Sequence, residues 1–405
     1  MNFEDFGLSS TLLDALSATG FRQATAVQQQ AIPAIMQHKD VIACAQTGTG
    51  KTAAYLLPVI HHITQQPDAH IKCVIIAPTR ELAVQIDQQI EGLAYFTGIS
   101  SKPVYGGNDA SSFDREMQSL KEGADIIVAT PGKFMTHLNL GYVKLDKVGF
   151  FILDEADRML DMGFHDDIMR INSYMPKVRQ TLMFSATMPE KIRALARKLL
   201  KEDASEIDIA ISKPAENIIQ VIFSVYENQK VPLIQYLLTA RELKSVIVFC
   251  SRKSTVSQLA SQLQKQSLNA EAVHSDIEQV EREKILRDFK NKKLPIIIAT
   301  DVLSRGIDVT GIELVINYDV PGDVEDYVHR IGRTARAESK GAAFTFVNED
   351  DQYKLHRIEQ FLGKELTRAR LPEELGEAPE IAANGKGKKN FRGKGGRKPQ
   401  RGRKK

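Results

Sequence analysis

Three stretches of the chain carry groups suited to phosphate chemistry. In Ala45-Gln46-Thr47-Gly48-Thr49-Gly50-Lys51-Thr52, glycines, a lysine and hydroxyls sit between an apolar run, Val41-Ile42-Ala43-Cys44, and a helix-like run starting at Ala53. Strand, small-residue turn and helix are the setting of a phosphate-binding loop. Thr47, Gly48, Thr49 and Gly50 would turn backbone amides toward the phosphates, and the helix N-terminus adds its dipole. Lys51 would reach the outer phosphates of ATP, and the Thr52 hydroxyl would ligate Mg2+. Alone, this loop establishes only a nucleoside triphosphatase.

The second stretch, Asp154-Glu155-Ala156-Asp157, directly follows the apolar run Val148-Gly149-Phe150-Phe151-Ile152-Leu153. Carboxylates there lie at a sheet edge, where Asp154 can hold magnesium through water and Glu155 can orient the attacking water. Ser185 and Thr187 follow another apolar run; their hydroxyls could bond Asp157 and report nucleotide state to a neighbouring domain. The third stretch is His329-Arg330-Ile331-Gly332-Arg333-Thr334-Ala335-Arg336. On a helix, Arg333 and Arg336 share one face, and two guanidiniums across a cleft would neutralise charge as the gamma phosphate leaves. Arg305-Gly306-Ile307-Asp308 offers a turn and an acceptor for the ribose or for those arginines, with Thr300 and Asp301 on the same strand edge.

A row of polar turns also follows strand-like runs: Pro78-Thr79-Arg80, Gly106-Gly107 and Thr130-Pro131-Gly132-Lys133. Hydroxyls, backbone amides and a cation suit a sugar-phosphate backbone, which needs no base reading. Simple helix caps are the competing reading. Gln279 and Arg282 share a helical face and could meet phosphate backbone or bridge domains. His274 joins that network or is structural.

The elements that must position these groups alternate along the chain. Strands are expected at 41–44, 72–77, 103–105, 126–129, 149–153 and 181–184, with amphipathic helices such as Arg80 to Tyr95 and Ser111 to Lys121 between them. The pattern fades into a charged stretch from Lys201 to Pro214, which reads as a domain boundary. It resumes with strands at 218–225, 246–250, 270–273, 295–299, 313–317 and 342–347, and helices at about 229–240, 252–266 and 278–291. This is α/β architecture, two mostly parallel sheets with helices on both faces. The division is 1–210, 211–370 and an acidic linker with a basic tail, 371–405. Only the first block has a phosphate loop, so ATP should sit between the two and drive opening and closing.

The 405 residues are 42% hydrophobic and 26% charged, enough for two ordinary cores. No run approaches a membrane span, and the N-terminus lacks the basic and apolar regions of a signal peptide. Three cysteines in or beside apolar runs have no metal-ligand spacing and suit a reducing, cytoplasmic setting. The net charge of +3 conceals an asymmetry: residues 384–405 hold 11 Lys or Arg and no acid, leaving 43 basic against 51 acidic residues elsewhere. That glycine-rich segment cannot bury a core and should be a disordered electrostatic tether for a polyanion.

Taken together, these stretches resemble the DEAD-box ATP-dependent RNA helicase family over about residues 3–365. The literal Asp154-Glu155-Ala156-Asp157 carries the name. Gly20-Phe21…Thr25…Gln28, the phosphate loop, Pro78-Thr79-Arg80-Glu81-Leu82, Thr130-Pro131-Gly132, Ser185-Ala186-Thr187 and His329-Arg330-Ile331-Gly332-Arg333 follow in family order. The basic tail is similar to those of bacterial members. The resemblance implies two tandem RecA-like domains, ATP and Mg2+ as cofactors, and RNA bound through its backbone with local unwinding of short duplexes. It implies that Gln28 reads the adenine edge and that Phe21 stacks near the base, with Phe3 upstream. It places Pro78, Thr79, Arg80, Gly107, Thr130, Pro131, Gly132, Gln279, Arg282 and Thr300 along the RNA. Asp157, Ser185, Thr187 and His329 would couple the domains, and Gly306 and Asp308 would line the nucleotide site. Ribosomal or RNA-decay proteins are conceivable partners. Ala24, Lys133, Ser275, Ala335 and Glu338 depart from the family pattern without removing a group assigned to chemistry. The rival readings are a DNA-dependent helicase or translocase, a nonenzymatic ATP-gated RNA clamp and, less economically, a metabolic kinase.

Overall fold

The computed structural model describes residues 1–45, 48–66, 68, 70–106, 110–209, 218–239, 243–301, 312–334 and 341–379, without the side chains of 110–112 and 325. Thr47, Gly107, Arg305, Gly306, Asp308, Ala335, Arg336, Glu338 and the basic segment 384–405 lie outside the described residues.

The apolar runs build two seven-stranded sheets. The first holds β1 (Val41–Cys44), β2 (Cys73–Ile76), β3 (Ser101–Val104), β4 (Ile126–Ala129), β5 (Phe150–Leu153), β6 (Gln180–Ser185) and β7 (Ser205–Asp208), in the order β3-β4-β2-β5-β6-β1-β7. The second holds β8 (Ile218–Ser224), β9 (Val246–Phe249), β10 (Ala270–Val273), β11 (Ile296–Ala299), β12 (Leu314–Asn317), β13 (Gly341–Val347) and β14 (Thr367–Ala369), in the order β10-β11-β9-β12-β13-β8-β14. Every described strand pairing is parallel.

Parallel strands covered on both faces bury every residue, and successive side chains must serve opposite cores. In the first sheet Val41, Ala43, Ile75, Ile152 and Phe184 join one apolar cluster, while Ile42, Val74, Ile76, Leu153 and Met183 join the other. The second sheet divides in the same way, with Ile247, Phe249 and Val315 against Val246, Val248 and Ile316. These are two RecA-like domains.

Helices follow the strands. After a short turn at Phe3–Phe6, α1 (Ser10–Ala18) and α2 (Ala26–Met36) lead into the first sheet. Thr25 and Gln28 close the start of α2 as a reciprocal capping box. Then come α3 (Lys51–Thr64), α4 (Arg80–Ala94), α5 (Ala110–Glu122), α6 (Pro131–Asn139), α7 (Ala156–Asp161), α8 (His165–Tyr174) and α9 (Glu190–Leu199). The second domain has α10 (Lys230–Thr239), α11 (Lys253–Lys265), α12 (Gln279–Lys290), α13 (Val324–Ile331) and α14 (Gln352–Leu362). Among the described residues no helix is long and apolar enough to cross a membrane.

Two local expectations are corrected. The charged stretch after Lys201 contains β7, which pairs along β1 and buries only Ile207 among its four residues. The helix carrying His329 stops at Ile331, because Thr334 forms a parallel bridge with Ile312. Arg333 therefore sits in a turn rather than on a helical face. Beyond these, Gly363 closes α14 at φ 67°, and Arg368 lies in β14 beside β8.

The acidic segment beyond β14 is fastened to the second domain. The Gln229 amide donates to the Leu375 and Glu377 carbonyls at 2.8 and 2.9 Å, and the Ser224 hydroxyl donates to the Pro379 carbonyl.

Candidate nucleotide and RNA interface

In a parallel sheet, ligands gather beyond the carboxyl ends of the strands. The phosphate loop follows β1, Asp154 follows β5, and Ser185 ends β6, which lies between them. Gly48 and Gly50 adopt φ of 86° and 90°, a region that favours glycine. At Gly50 a Cβ would meet the Gln28 amide nitrogen at 2.5 Å. Gln28 packs this closely because its nitrogen donates to the Gly50 carbonyl at 3.1 Å while its oxygen accepts from the Thr25 amide. The expected adenine reader is thus tied to the phosphate loop. Phe21, half-buried, makes an edge contact with the buried Phe3 at 6.1 Å. Ala24 is buried in the same cluster.

Lys51 begins α3, is only 5% exposed, and its ammonium has no hydrogen-bond partner. An unpaired buried cation signals an absent anion, since burying a lone charge is costly. Asp154, 2% exposed, has both carboxylate oxygens held: one accepts from the Glu155 amide, the other from the Tyr55 hydroxyl, each at 2.9 Å. Burial pushes the Asp154 carboxyl upward, and the Lys51 charge pulls it back. Glu155 sits in the left-handed region at φ 51°. Its Oε2 is buried without a hydrogen bond; Arg158, at 3.6 Å, is an ion-pair neighbour beyond hydrogen-bonding reach. That oxygen keeps its hydrogen-bonding capacity unused. Thr49, Gly50, Lys51 and Thr52 span the end of the loop and the first turn of α3. These residues fit a triphosphate with a hard divalent cation, which prefers oxygen donors and retains waters.

Asp157 is the acceptor foreseen for the hydroxyls after β6. Its Oδ2 takes both the amide and the hydroxyl of Thr187 at 3.1 Å, whereas the Ser185 hydroxyl donates to the Thr187 carbonyl. The carboxylate stretch and the end of β6 are therefore one rigid unit. Hydrogen bonds to a charged acceptor contribute about 1.5–3 kcal/mol each.

Beyond the neighbouring strands lie the polar turns. Pro78 and Thr79 follow β2, with Thr79 capping α4 by accepting from the Leu82 amide. The Arg80 guanidinium lies 4.6 Å over the Tyr105 ring. Thr130 and Pro131 start α6, and Gly132 is exposed with open space where a Cβ would stand. Lys133 is held by Glu116 at 3.1 Å and lies over the Phe113 ring. Gln279 and Arg282 take the second of their two expected roles. Both donate to Glu81 of α4, at 3.3 and 3.0 Å, and so join the domains. His274 joins that network through its carbonyl, which accepts from Arg282 at 3.3 Å, while its ring bonds Ser257 and the Asp276 amide.

In the second domain Thr300 follows β11, and its neighbour Asp301 grips Arg330 with both oxygens at 2.6 and 2.8 Å. Arg330 is fully buried and also donates to Asn317 and to the Asp319 carbonyl. His329 is buried beside it, and the half-buried Arg333 donates back to the His329 carbonyl at 3.3 Å.

The DEAD/DEAH box helicase family model matches residues 25–195, and the helicase conserved C-terminal domain model matches 229–338. The DEAD-box ATP-dependent RNA helicase CshA of Geobacillus kaustophilus is 40% identical over 91% of this chain and 78% of its own. The chain belongs to the DEAD-box helicase family. Among solved DEAD-box structures, S. cerevisiae Dbp5 bound to RNA and ADP BeF3 overlays with a TM-score of 0.82 at 30% identity, covering 91% of this chain and 95% of that one. Mss116p bound to ssRNA and AMP-PNP overlays at 0.80 with 29% identity, covering 92% and 80%.

Three members of this DEAD-box site had no sequence signal of their own. The Tyr55 hydroxyl is hidden in an apolar helical run. Arg330 stands between residues with more obvious chemistry. Glu116, far from Lys133 in sequence, reads as a surface acid on an amphipathic helix.

Proposed function

We propose that the chain is an RNA-dependent ATPase that hydrolyses ATP to ADP and phosphate and couples the cycle to backbone binding of RNA and local separation of short duplexes. The observation that carries this reading is the buried Lys51 ammonium, without a hydrogen bond and near the Asp154 carboxylate, together with the buried Glu155 Oε2 that makes no hydrogen bond. A cation for the phosphates and a carboxylate for the attacking water stand on one sheet edge. Magnesium, when bound, neutralises phosphate charge and orients the triphosphate. The protein's own part is to hold Asp154 in place, leave a Glu155 oxygen for water, and bring Arg333 across from the second domain. The turns at Thr79, Thr130 and Gly132 supply neutral donors and exposed backbone, which favours contact with sugar and phosphate over base reading.

The deciding experiment is steady-state ATPase on the purified chain without nucleic acid, with single-stranded RNA and with matched DNA. RNA alone should stimulate strongly. Equal stimulation by DNA would favour a DNA-dependent translocase. ATP binding without turnover under all three conditions would favour a clamp.

A further inference from the structure

We propose that Tyr55 is a positioning residue for the metal side of the nucleotide site, its hydroxyl joining the Thr52 hydroxyl to the Asp154 carboxylate. The inference rests on the ATPase reading of this site and names a member not assigned there.

Tyr55 is completely buried, one turn into α3, three residues after Thr52 and on the same helical face. Its hydroxyl donates to Asp154 Oδ2 at 2.9 Å and accepts from the Thr52 side chain. Sheet order explains why such a tie is useful. Thr52 lies in the first turn of α3, beyond β1, and Asp154 follows β5, and β6 lies between those strands. The Tyr55 ring crosses that gap by packing on Phe184 of β6, with centroids 5.1 Å apart. Ring packing fixes where the hydroxyl stands, and the hydroxyl fixes the two oxygen groups relative to each other.

Asp154 is thereby held at both oxygens, by the Glu155 amide and by Tyr55. An ionised carboxylate has about four lone-pair sites, so these two bonds leave room to accept from water. A small cation that keeps its waters needs acceptors at set positions more than it needs direct ligands. Groups that orient such acceptors typically change metal affinity about 10–100-fold when removed.

The test is Tyr55→Phe, which retains the ring on Phe184 and deletes only the bridging oxygen. Binding of a fluorescent ATP analogue is measured at rising magnesium and, separately, in EDTA. The variant should need roughly 10-fold more magnesium for half-maximal binding, with unchanged affinity in EDTA. An unchanged magnesium midpoint overturns the inference. A parallel loss of thermal midpoint and EDTA affinity also overturns it, since that is the signature of a packing role. Absence of any magnesium-dependent binding in the unmodified chain would instead overturn the nucleotide reading beneath it.

Discussion

Lys51 belongs to the first domain and Arg333 to the second, and their surroundings separate what each removal should do. Lys51 is buried beside the phosphate loop, its ammonium without a hydrogen-bond partner and near the Asp154 carboxylate. Arg333 is half-buried in a turn of the second domain, away from the phosphate loop in sequence. Arg333→Ala should keep ATP affinity within a few-fold and lower turnover on the order of 10³-fold, the usual scale for an arginine that meets charge developing on the phosphate. Nucleotide binding and steady-state ATPase on the same preparation check this; unchanged turnover would remove the role. Lys51→Ala should instead impair ATP use at the binding step. Arg330 behaves differently again. Its bonds to Asp301, Asn317 and the Asp319 carbonyl make it the internal brace of the loops on either side, not a ligand.

At the scale of elements, the start of β5 meets a small histidine cluster behind the nucleotide site. His62 on α3 stacks on Phe150 at 5.9 Å and lies 4.3 Å from His38. Burial, reinforced by His38 and His61, pushes His62 down to about 4 from its ordinary 6.5. Its folded-state value lies below the unfolded one, so the folded chain binds fewer protons in that window. Stability from this group is full above about 6.5 and is lost as pH falls toward 4. Urea midpoints should therefore drop between pH 7 and pH 5, and His62→Leu should flatten that drop. An identical acid loss in the variant would assign the effect elsewhere. How much of each element was legible follows from its burial. Strands such as Val41–Cys44 and Ile296–Ala299 are apolar throughout because both faces are covered. β7 and β14 lie at sheet edges and bury almost nothing, so no apolar run marks them. The early end of α13 was hidden because its cause, the bridge from Thr334 to Ile312, is a long-range contact. The phosphate loop and the carboxylates were plain because their chemistry is contiguous. The partners of Lys133 and Asp154 were not, because they come from other helices.

For the whole molecule, charge is divided between a mildly acidic body and the basic segment 384–405. Deleting that segment should weaken RNA binding and flatten its salt dependence, by about 0.7 in log–log slope for every single-strand phosphate it had neutralised. Filter binding across a salt series reads both; an unchanged slope would rule out the tether. The bonds from Gln229 and Ser224 carry the chain along the second domain to residue 379, which sets where that segment begins. Strand order also bears on how the protein is made. β1, which launches the phosphate loop, is the first strand of its sheet to leave the ribosome, yet Val41 pairs only with Leu182 and Ser205. Until the last two strands of that domain emerge, both of its hydrogen-bonding edges stay unpaired, on a strand whose side chains are apolar throughout. A nascent chain stalled before Asp208 would present an incomplete sheet open to aggregation, and it could not form the phosphate site however early the loop itself was translated.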